Sequence, residues 1–253
     1  MPLYTANAIV LRRINFSEVD RIVSLYSRER GKISAIAKGA RKPISRLAGA
    51  TEVLTYGRFQ FASGKNLDVL TQVEVKESFP RIHADLSCIA HATYLAELID
   101  RFAEEDDVSP DLFDLLLSAL YLLERPNDPE KITHMFELQF MKLLGYEPVL
   151  DRCVRCRAHL PEGEIYFSPS FGGTICRECG YLPEDAFPIS RDAVESMQKL
   201  TIAGAREVEQ MELSRSATDQ IARAMRWYIR YRAERELKSL DFLQTLRAGV
   251  GDV

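Results

Sequence analysis

The stretch LDVLTQVEVK, residues 67–76, places apolar or β-branched side chains at nearly every second position. A period of two predicts a β-strand with one face on a core and the other in water. Shorter runs of the same kind precede it at residues 5–11, 21–26, 32–38 and 53–61. The turn sequence SGKN, residues 63–66, separates the run 53–61 from the run 67–76. Five short strands in the segment 1–80 predict a small antiparallel barrel.

The interruption between the third and fourth strands helps to narrow the kind of barrel. Residues 41–50 fit neither the strand nor the helix period well, and we predict a loop or a short helix there. A five-stranded barrel interrupted at this point is compatible with an OB-fold, a shape that often binds single-stranded nucleic acid. The number of strands does not distinguish an OB-fold from an SH3-like barrel, so both remain open.

From about residue 85 the apolar period becomes helical. Ser109-Pro110-Asp111 and Asp128-Pro129-Glu130 are helix start signals, each with a capping side chain followed by proline. Leucines spaced for one helix face follow the first signal, and Gly145 is expected to end the second helix. These patterns predict a helical bundle at 81–147 and further helices at 190–202 and 216–237. The expected fold class is α+β, with an OB-fold domain at 1–80 and an all-α domain at 81–253.

Two C-x-x-C pairs lie in an insert of about residues 147–188 within the helical part. Cys153 and Cys156 form one pair, Cys176 and Cys179 form the other, and positions 157–175 separate them. This spacing is typical of a four-cysteine zinc site, and the residues between the pairs predict a hairpin that brings them together. Four thiolates leave no open position, so we expect one structural Zn²⁺ per chain rather than a catalytic metal. Iron–sulfur ligation is the alternative. Such cysteine use indicates a reducing cytoplasm.

Positive charge is concentrated near the N-terminus of a chain whose net charge is −4. Residues 1–80 contain 13 Lys or Arg and 7 Asp or Glu, whereas residues 81–253 contain 20 and 30. A basic patch on an acidic protein indicates a polyanionic partner such as nucleic acid, and the alternative is a solvated loop. The candidate nucleic-acid-binding residues are Arg28, Arg30, Lys32, Lys38, Arg41, Lys42 and Arg46.

A second group of arginines lies on the predicted C-terminal helix. Arg223, Arg226 and Arg230 are interleaved with Trp227, Tyr228 and Tyr231. Arginine beside aromatic rings suits nucleic-acid contact and base stacking. It equally suits a groove for an acidic partner peptide, and an ordinary amphipathic helix is the third interpretation.

Enzymatic motifs are absent from the sequence. It contains no phosphate-binding loop of the G-x-x-x-x-G-K-[ST] type, no G-x-G-x-x-G and no G-x-S-x-G. We therefore expect a non-enzymatic protein. No apolar run approaches the length of a membrane span and no signal-peptide pattern is present, so neither secretion nor membrane insertion is expected.

Several N-terminal motifs together resemble the RecO family of recombination mediators. They are AIVLRR at 8–13, EVDRIV at 18–23, Gly31-Lys32, AKGARK at 37–42 and Ser45-Arg46-Leu47. The resemblance continues through YLAEL at 94–98 and LGYEP at 144–148, and it covers roughly residues 1–180. The order of barrel, helices and four-cysteine insert is also similar to that of the family.

The resemblance implies a specific function. Members of the family bind single- and double-stranded DNA, anneal complementary strands, and act with the RecR protein to load RecA onto strands coated by single-strand-binding protein, without hydrolysing nucleotides. It implies that the basic residues 28–46 contact DNA in a cytoplasmic, nucleoid-associated protein. It also gives Arg223, Arg226 and Arg230 a role in holding the acidic tail of single-strand-binding protein. The insert arginines Arg152, Arg155, Arg157 and Arg177 are further candidates for DNA contact.

Two other functions fit the pattern of residues less well. An RNA-binding ribosome-associated or transcription factor would also combine a barrel with a structural zinc ribbon. A metal-dependent nuclease would require a metal with an open position, which four cysteine ligands do not leave.

Overall fold

Five strands close a barrel in the computed structural model. They are β1 (Leu3–Asn15), β2 (Arg21–Ser27), β3 (Gly31–Ala37), β4 (Tyr56–Ala62) and β5 (Asp68–Glu77), with helix α1 (Arg46–Ala50) between β3 and β4. The strand order around the barrel is β1-β2-β3-β5-β4. This order, with a helix after the third strand, is that of an OB-fold. The OB-fold prediction is therefore confirmed, and the SH3-like alternative is wrong.

The structure describes residues 2–105, 107–233, Ser239 and Leu243. They divide into two compact units, with a boundary between Arg125 and Pro126 and with Leu243 assigned to the first unit. The first unit contains the barrel and the three helices that follow it, and the second contains the remaining helices and the cysteine insert. The domain boundary near residue 80 stays a prediction.

Strand β1 is long enough to pair with two neighbouring strands of the barrel. Its first half pairs with β4 and its second half pairs with β2, and the register shifts between Val10 and Arg12. A bulge of this kind bends and twists a strand, which is what closure of a five-stranded barrel requires. The core inside contains both small and large apolar side chains, including Ala8, Val23 and Phe59.

The side of β5 that faces the barrel core changes partway along the strand, whereas the sequence pattern predicts one continuous core-facing side. Residues 67–75 alternate as one apolar face, but Leu70, which is not on that face, is buried in the barrel core, and Val73, which is on it, packs against the same core. The register with β4 shifts between Gln60 and Phe61, so that Thr71 opposes no partner residue, and the Thr71 hydroxyl donates to the Gln60 carbonyl at 2.9 Å. This bulge turns the following side chains around.

The start of β4 also differs from the prediction, which placed it at residue 53. Leu54 is fully buried with φ of 73°, in the left-handed region, and its N–H donates to the Val10 carbonyl at 2.7 Å. This turn after α1 delays the strand to Tyr56. Period-based reasoning cannot detect a left-handed leucine, because the residue type rarely adopts that conformation.

Three helices complete the first unit: α2 (Pro80–Ala84), α3 (Leu86–Phe102) and α4 (Pro110–Leu123). Asp85 caps α3 by accepting the Cys88 N–H, and Ser109 caps α4 by accepting the Leu112 N–H. Helix α3 packs on β1 and β2, and α4 packs on β2. The barrel therefore buries one outer face under the helices that follow it in the chain.

Asp100 of α3 is the polar anchor of this packing. Its carboxylate accepts the Ser24 hydroxyl at 2.8 Å and pairs with the Arg12 guanidinium at 2.9 Å and the Lys32 ammonium at 3.2 Å. Burial by itself raises the pKa of Asp100, but the Ser24 hydrogen bond and the two cations outweigh burial and hold that pKa below its usual value.

Helices and a small sheet form the second unit. The helices are α5 (Pro129–Leu143), α6 (Arg191–Ile202), α7 (Ala205–Gln210) and α8 (Arg215–Ala233), and the strands are β6 (Ile165–Ser168), β7 (Gly173–Cys176) and β8 (Phe187–Ile189). Helices α5, α6 and α8 pack on one another, and α8 also contacts β6. The predicted helices 190–202 and 216–237 are thus present, although residues 234–237 lie outside the described part of the chain.

Of the helices predicted for residues 81–147, α2–α4 belong to the first unit and α5 belongs to the second unit. Among the described helices, none combines the length and hydropathy that a membrane crossing needs.

Replacing Asp100 tests the anchor. We expect Asp100→Asn to lower the free energy of unfolding of the first unit by about 2–3 kcal/mol, because two cations lose their charged partner in a largely buried place. Asp114→Asn is the matched control, since Asp114 pairs with Arg28 on the surface, where both side chains are about half exposed, and should cost less than about 1 kcal/mol. Urea denaturation measures both.

Wild type and Asp100→Asn should also differ in their pH dependence. The pKa of Asp100 is lowered in the folded state, so its contribution is complete above the unfolded value of about 3.9 and is lost as the pH falls through the lower folded value. The stability difference between the two proteins should therefore shrink below about pH 4. A constant difference down to pH 2 would contradict the role assigned to this carboxylate.

Candidate metal centre and nucleic-acid interface

The predicted hairpin brings the two cysteine pairs together. Strands β6 and β7 pair antiparallel, and Cys176 ends β7 while Cys179 lies in the single 3₁₀ turn that follows it. The chain before the first pair runs along β7, where the Thr174 N–H donates to the Val149 carbonyl and the Val154 N–H donates to the Thr174 carbonyl, both at 2.9 Å. Gly173 is required here, because a Cβ would lie 2.2 Å from the Val149 carbonyl oxygen.

The four thiols form a cluster with the dimensions of a tetrahedral metal site. All four Sγ atoms lie within 4.8 Å of one another. The Sγ–Sγ distances are 3.6 Å for Cys153–Cys179, 3.7 Å for Cys156–Cys176 and 3.5 Å for Cys176–Cys179. A tetrahedron with Zn–S bonds of about 2.3 Å has edges of about 3.8 Å, whereas a disulfide needs about 2.05 Å. The donor set therefore fits a metal and not disulfide bonds.

Backbone donors favour thiolate at one member of the cluster. Burial opposes ionisation of Cys153, but the N–H groups of Cys156, Cys176 and Arg155 donate to it and lower its pKa to about 6. The hydrogen bond with Cys176 and then burial raise the pKa of Cys179 to about 12. Four crowded thiols cannot all ionise alone, and a divalent cation would remove this conflict while displacing protons.

The basic residues 28–46 separate into two groups. Arg28 donates twice to Asp114, at 3.0 Å for each bond, and Lys32 pairs with Asp100. Arg30 stacks on the Tyr4 ring with its guanidinium carbon 4.2 Å from the centroid. These three cations therefore have partners inside the first unit.

The other four cations of this set lie on the connection from β3 to α1. Lys38, Arg41, Lys42 and Arg46 are exposed. Within the described part of the chain, none of the four forms an ion pair. The loop carrying them is fixed to the β1–β2 loop, because the Arg41 N–H donates to the Val19 carbonyl at 3.0 Å and the Gly39 N–H donates to the Asp20 carboxylate at 2.8 Å. We call this surface, residues 16–20 together with 38–46, the basic rim.

Two apolar residues of the basic rim were not singled out from the sequence. Ile44 is 98% exposed and Phe16 is 60% exposed. Their signal in the sequence was the position of each apolar side chain in a short turn between elements, where core packing is unavailable. An exposed aromatic ring such as Phe16 beside unpaired cations is typical of surfaces that bind single-stranded nucleic acid.

Two of the three predicted partner residues of α8 line a groove in the second unit. The groove has a volume of about 880 Å³ and is bounded by α8 and by residues 169–171 and 181–187. Arg223, Trp227, Arg230 and Tyr231 face it, whereas Arg226 is half-buried and does not line it. Arg223 stacks on Phe187 at 4.3 Å, and Trp227 is 51% exposed. Sequence reasoning missed the opposite wall, including Tyr181, because it is distant along the chain.

The arginines of the cysteine insert have mainly local contacts. Arg177 pairs with Glu164, Arg152 lies 3.4 Å from Asp151, and Arg155 stacks on Tyr181 at 5.2 Å. Arg157 is exposed, with φ of 61°. This set therefore offers less unpaired charge than the basic rim.

These features define an OB-fold protein with a helical second unit that carries a four-cysteine centre. The model named "Recombination protein O N terminal" matches residues 1–79, and the model named "Recombination protein O C terminal" matches residues 83–241. The chain belongs to the RecO family, as its N-terminal motifs indicated.

Similar proteins include those named "DNA repair protein RecO" in three bacteria. The protein of Symbiobacterium thermophilum is 40% identical over 98% of this chain and 99% of its own length. The proteins of Pelotomaculum thermopropionicum and Desulforamulus reducens are 38% and 33% identical, over 96% and 97% of this chain and 94% and 96% of their own lengths.

Substituting one cysteine tests the metal centre. Cys153→Ser should lose most of its bound zinc and lower the melting temperature of the second unit, because structural zinc contributes about 10–16 kcal/mol to folding in isolated peptides. Cys88→Ser is the control, since Cys88 lies in α3 of the first unit, and it should keep one zinc per chain. Metal analysis and calorimetry decide the outcome. Wild-type metal content in Cys153→Ser would exclude this cysteine as a ligand.

Proposed function

We propose that this protein is a non-enzymatic DNA repair and recombination mediator. It binds single- and double-stranded DNA, anneals complementary strands, and with the RecR protein helps to load RecA onto strands coated with single-strand-binding protein. The observation that carries the proposal is the unpaired charge of the basic rim on an OB-fold, in a chain of the RecO family. The names of its relatives favour DNA over the RNA-binding alternative.

Electrostatics supplies the mechanism at the basic rim. Lys38, Arg41, Lys42 and Arg46 place four positive charges within the segment 38–46, which contains no carboxylate. Two strands held on such a surface repel each other less, because the cations neutralise their phosphates and release counterions. Complementary bases then pair without any nucleotide hydrolysis. Arg28, Arg30 and Lys32 contribute mainly by fixing the barrel, since each already has a partner.

The second unit contributes a partner surface in this proposal. The groove beside α8 combines aromatic walls with Arg223 and Arg230. Of its two acids, Asp185 accepts hydrogen bonds from Ser168 and Ser170, and Glu184 is exposed. The guanidinium groups and the rings suit a peptide bearing carboxylates and an apolar end. We assign it to the acidic tail of single-strand-binding protein, which would bring the mediator to coated strands. One Zn²⁺ on Cys153, Cys156, Cys176 and Cys179 would act structurally. The expected location is the cytoplasm, at the nucleoid.

Annealing without ATP tests the proposed function. Wild-type protein should accelerate pairing of complementary strands that are each coated with the cognate single-strand-binding protein. The triple variant Lys38→Ala, Arg41→Ala, Lys42→Ala should bind a single strand more than tenfold more weakly at low salt. The slope of its log affinity against log salt should decrease by up to about 2, at roughly 0.7 per lost phosphate contact.

The matched control removes the same net charge from the second unit. Lys199→Ala, Arg206→Ala, Arg215→Ala removes three exposed cations of α6, α7 and α8. This variant should bind single strands with nearly wild-type affinity and slope. Equal losses in both triple variants would show that net charge, and not the basic rim, attracts the strand.

Charge reversal at the groove tests the partner surface. A synthetic peptide with the acidic tail of single-strand-binding protein should change the fluorescence of Trp227, which is the single tryptophan of the chain. Arg223→Glu should weaken this binding about tenfold or more, because it replaces an attraction with a repulsion. Arg215→Glu changes the charge of the same helix outside the groove and should leave the affinity unchanged. Equal affinity of the two variants for the peptide would show that the peptide does not bind in this groove.

A further inference from the structure

Phe16 is exposed, whereas the large aromatic side chains of the barrel core are buried. Its side chain is 60% exposed on the β1–β2 loop, while Tyr26, Phe59 and Phe61 are at most 1% exposed. Exposure of one phenyl ring is common on protein surfaces and has no meaning by itself. The surroundings of Phe16 give it meaning.

The loop that carries Phe16 is held by its own hydrogen bonds. The Phe16 N–H donates to the Asp20 carbonyl at 3.1 Å, and the Asp20 N–H donates to the Ser17 hydroxyl at 3.0 Å. The Asp20 carboxylate accepts the Gly39 N–H, and the Arg41 guanidinium donates to the Ser17 carbonyl. The backbone that carries the ring is therefore held in a fixed turn, so that binding a ligand orders the Phe16 side chain but not the loop.

The charges around Phe16 favour an anionic ligand. The connection 38–46 supplies Lys38, Arg41, Lys42 and Arg46, and the same turn supplies two acids, Glu18 and Asp20. Asp20 is half-buried and accepts the Gly39 N–H, and Glu18 is exposed, so the four cations still outnumber the two carboxylates. A ligand with an aromatic face and several negative charges matches this arrangement, and a single strand of nucleic acid has both.

We propose that Phe16 stacks on an unpaired base while the cations of the basic rim hold the neighbouring phosphates, so that Phe16 makes this surface prefer single-stranded over duplex DNA. In a duplex, both faces of each internal base are already covered by its neighbours, and the phenyl ring finds no partner. The cations bind either form. This inference rests on the proposed binding of DNA at the basic rim and adds the residue that selects the form of DNA.

The test compares Phe16→Ala with wild type on an oligothymidylate and on a duplex of equal length, by fluorescence anisotropy over a range of salt concentrations. Loss of one stacked base should weaken single-strand binding about 5- to 150-fold. Duplex affinity should stay within about twofold and the salt slope should not change, because no phosphate contact is lost. Leu3→Ala is the matched control, as an apolar side chain 62% exposed at the opposite end of β1.

Phe16→Trp gives a direct measure of stacking. It should keep the single-strand affinity of wild type, and added oligothymidylate should quench its fluorescence more than that of wild type, in which Trp227 alone emits. Unchanged single-strand affinity in Phe16→Ala, or equal losses for single strand and duplex, would overturn the inference.

The outcomes also separate this inference from the proposed function. If the triple rim variant binds more weakly but Phe16→Ala does not, the basic rim binds DNA through charge and the stacking role is wrong. If neither variant changes binding, DNA is held elsewhere and both proposals fail. The melting temperatures of Phe16→Ala and wild type should agree, because the ring makes few buried contacts.

Discussion

Pairing with the carboxylates of two helices, together with one aromatic contact, decides which cations of the segment 28–46 face the solvent without a partner of either kind among the described residues. Asp100 of α3 forms ion pairs with Lys32 and Arg12. Asp114 of α4 forms an ion pair with Arg28, and both helices cover the barrel. Arg30 has no carboxylate partner but stacks on the Tyr4 ring. The cations that have neither kind of partner in the described chain lie between β3 and the first residue of α1, and they are Lys38, Arg41, Lys42 and Arg46. The helices thus stabilise the barrel and also leave the free charge of the segment at one edge, which is the edge that we propose binds DNA.

Two groups of arginines lie in the second unit, one near the cysteine centre and one along the groove. Arg155 and Arg177 of the insert are engaged near the cysteine centre, by stacking on Tyr181 and by pairing with Glu164. Arg223, which also stacks on Phe187, and Arg230 line the groove beside α8. The segment from Cys179 to Phe187 belongs to both features, because it leaves a metal-ligand position and forms one wall of the groove. A structural metal there would also shape the proposed partner surface.

The sequence was informative where a feature depends on residues close along the chain. The strands, the capped helices and the cysteine pairs rest on local period and spacing, and the structure contains them. The bulge at Thr71 and the left-handed Leu54 were not predictable, because they follow from register and closure of the barrel. The groove joins segments that are distant along the chain, and the partners of Arg28 and Lys32 lie on helices that no pattern around residues 28–46 reveals.

The layout of the cysteine insert also sets an order in time. Cys176 and Cys179 are three residues apart at the end of a hairpin whose strands are joined by a short turn, whereas Cys153 and Cys179 are 26 residues apart. Local contacts form sooner than distant ones, because less chain entropy is lost in closing a short loop. We expect the hairpin and each C-x-x-C turn to form first, and the segment carrying Cys153 to dock beside Gly173 afterwards, which brings the two pairs together. The bound metal would then hold the two cysteine pairs together and stabilise this arrangement of the chain.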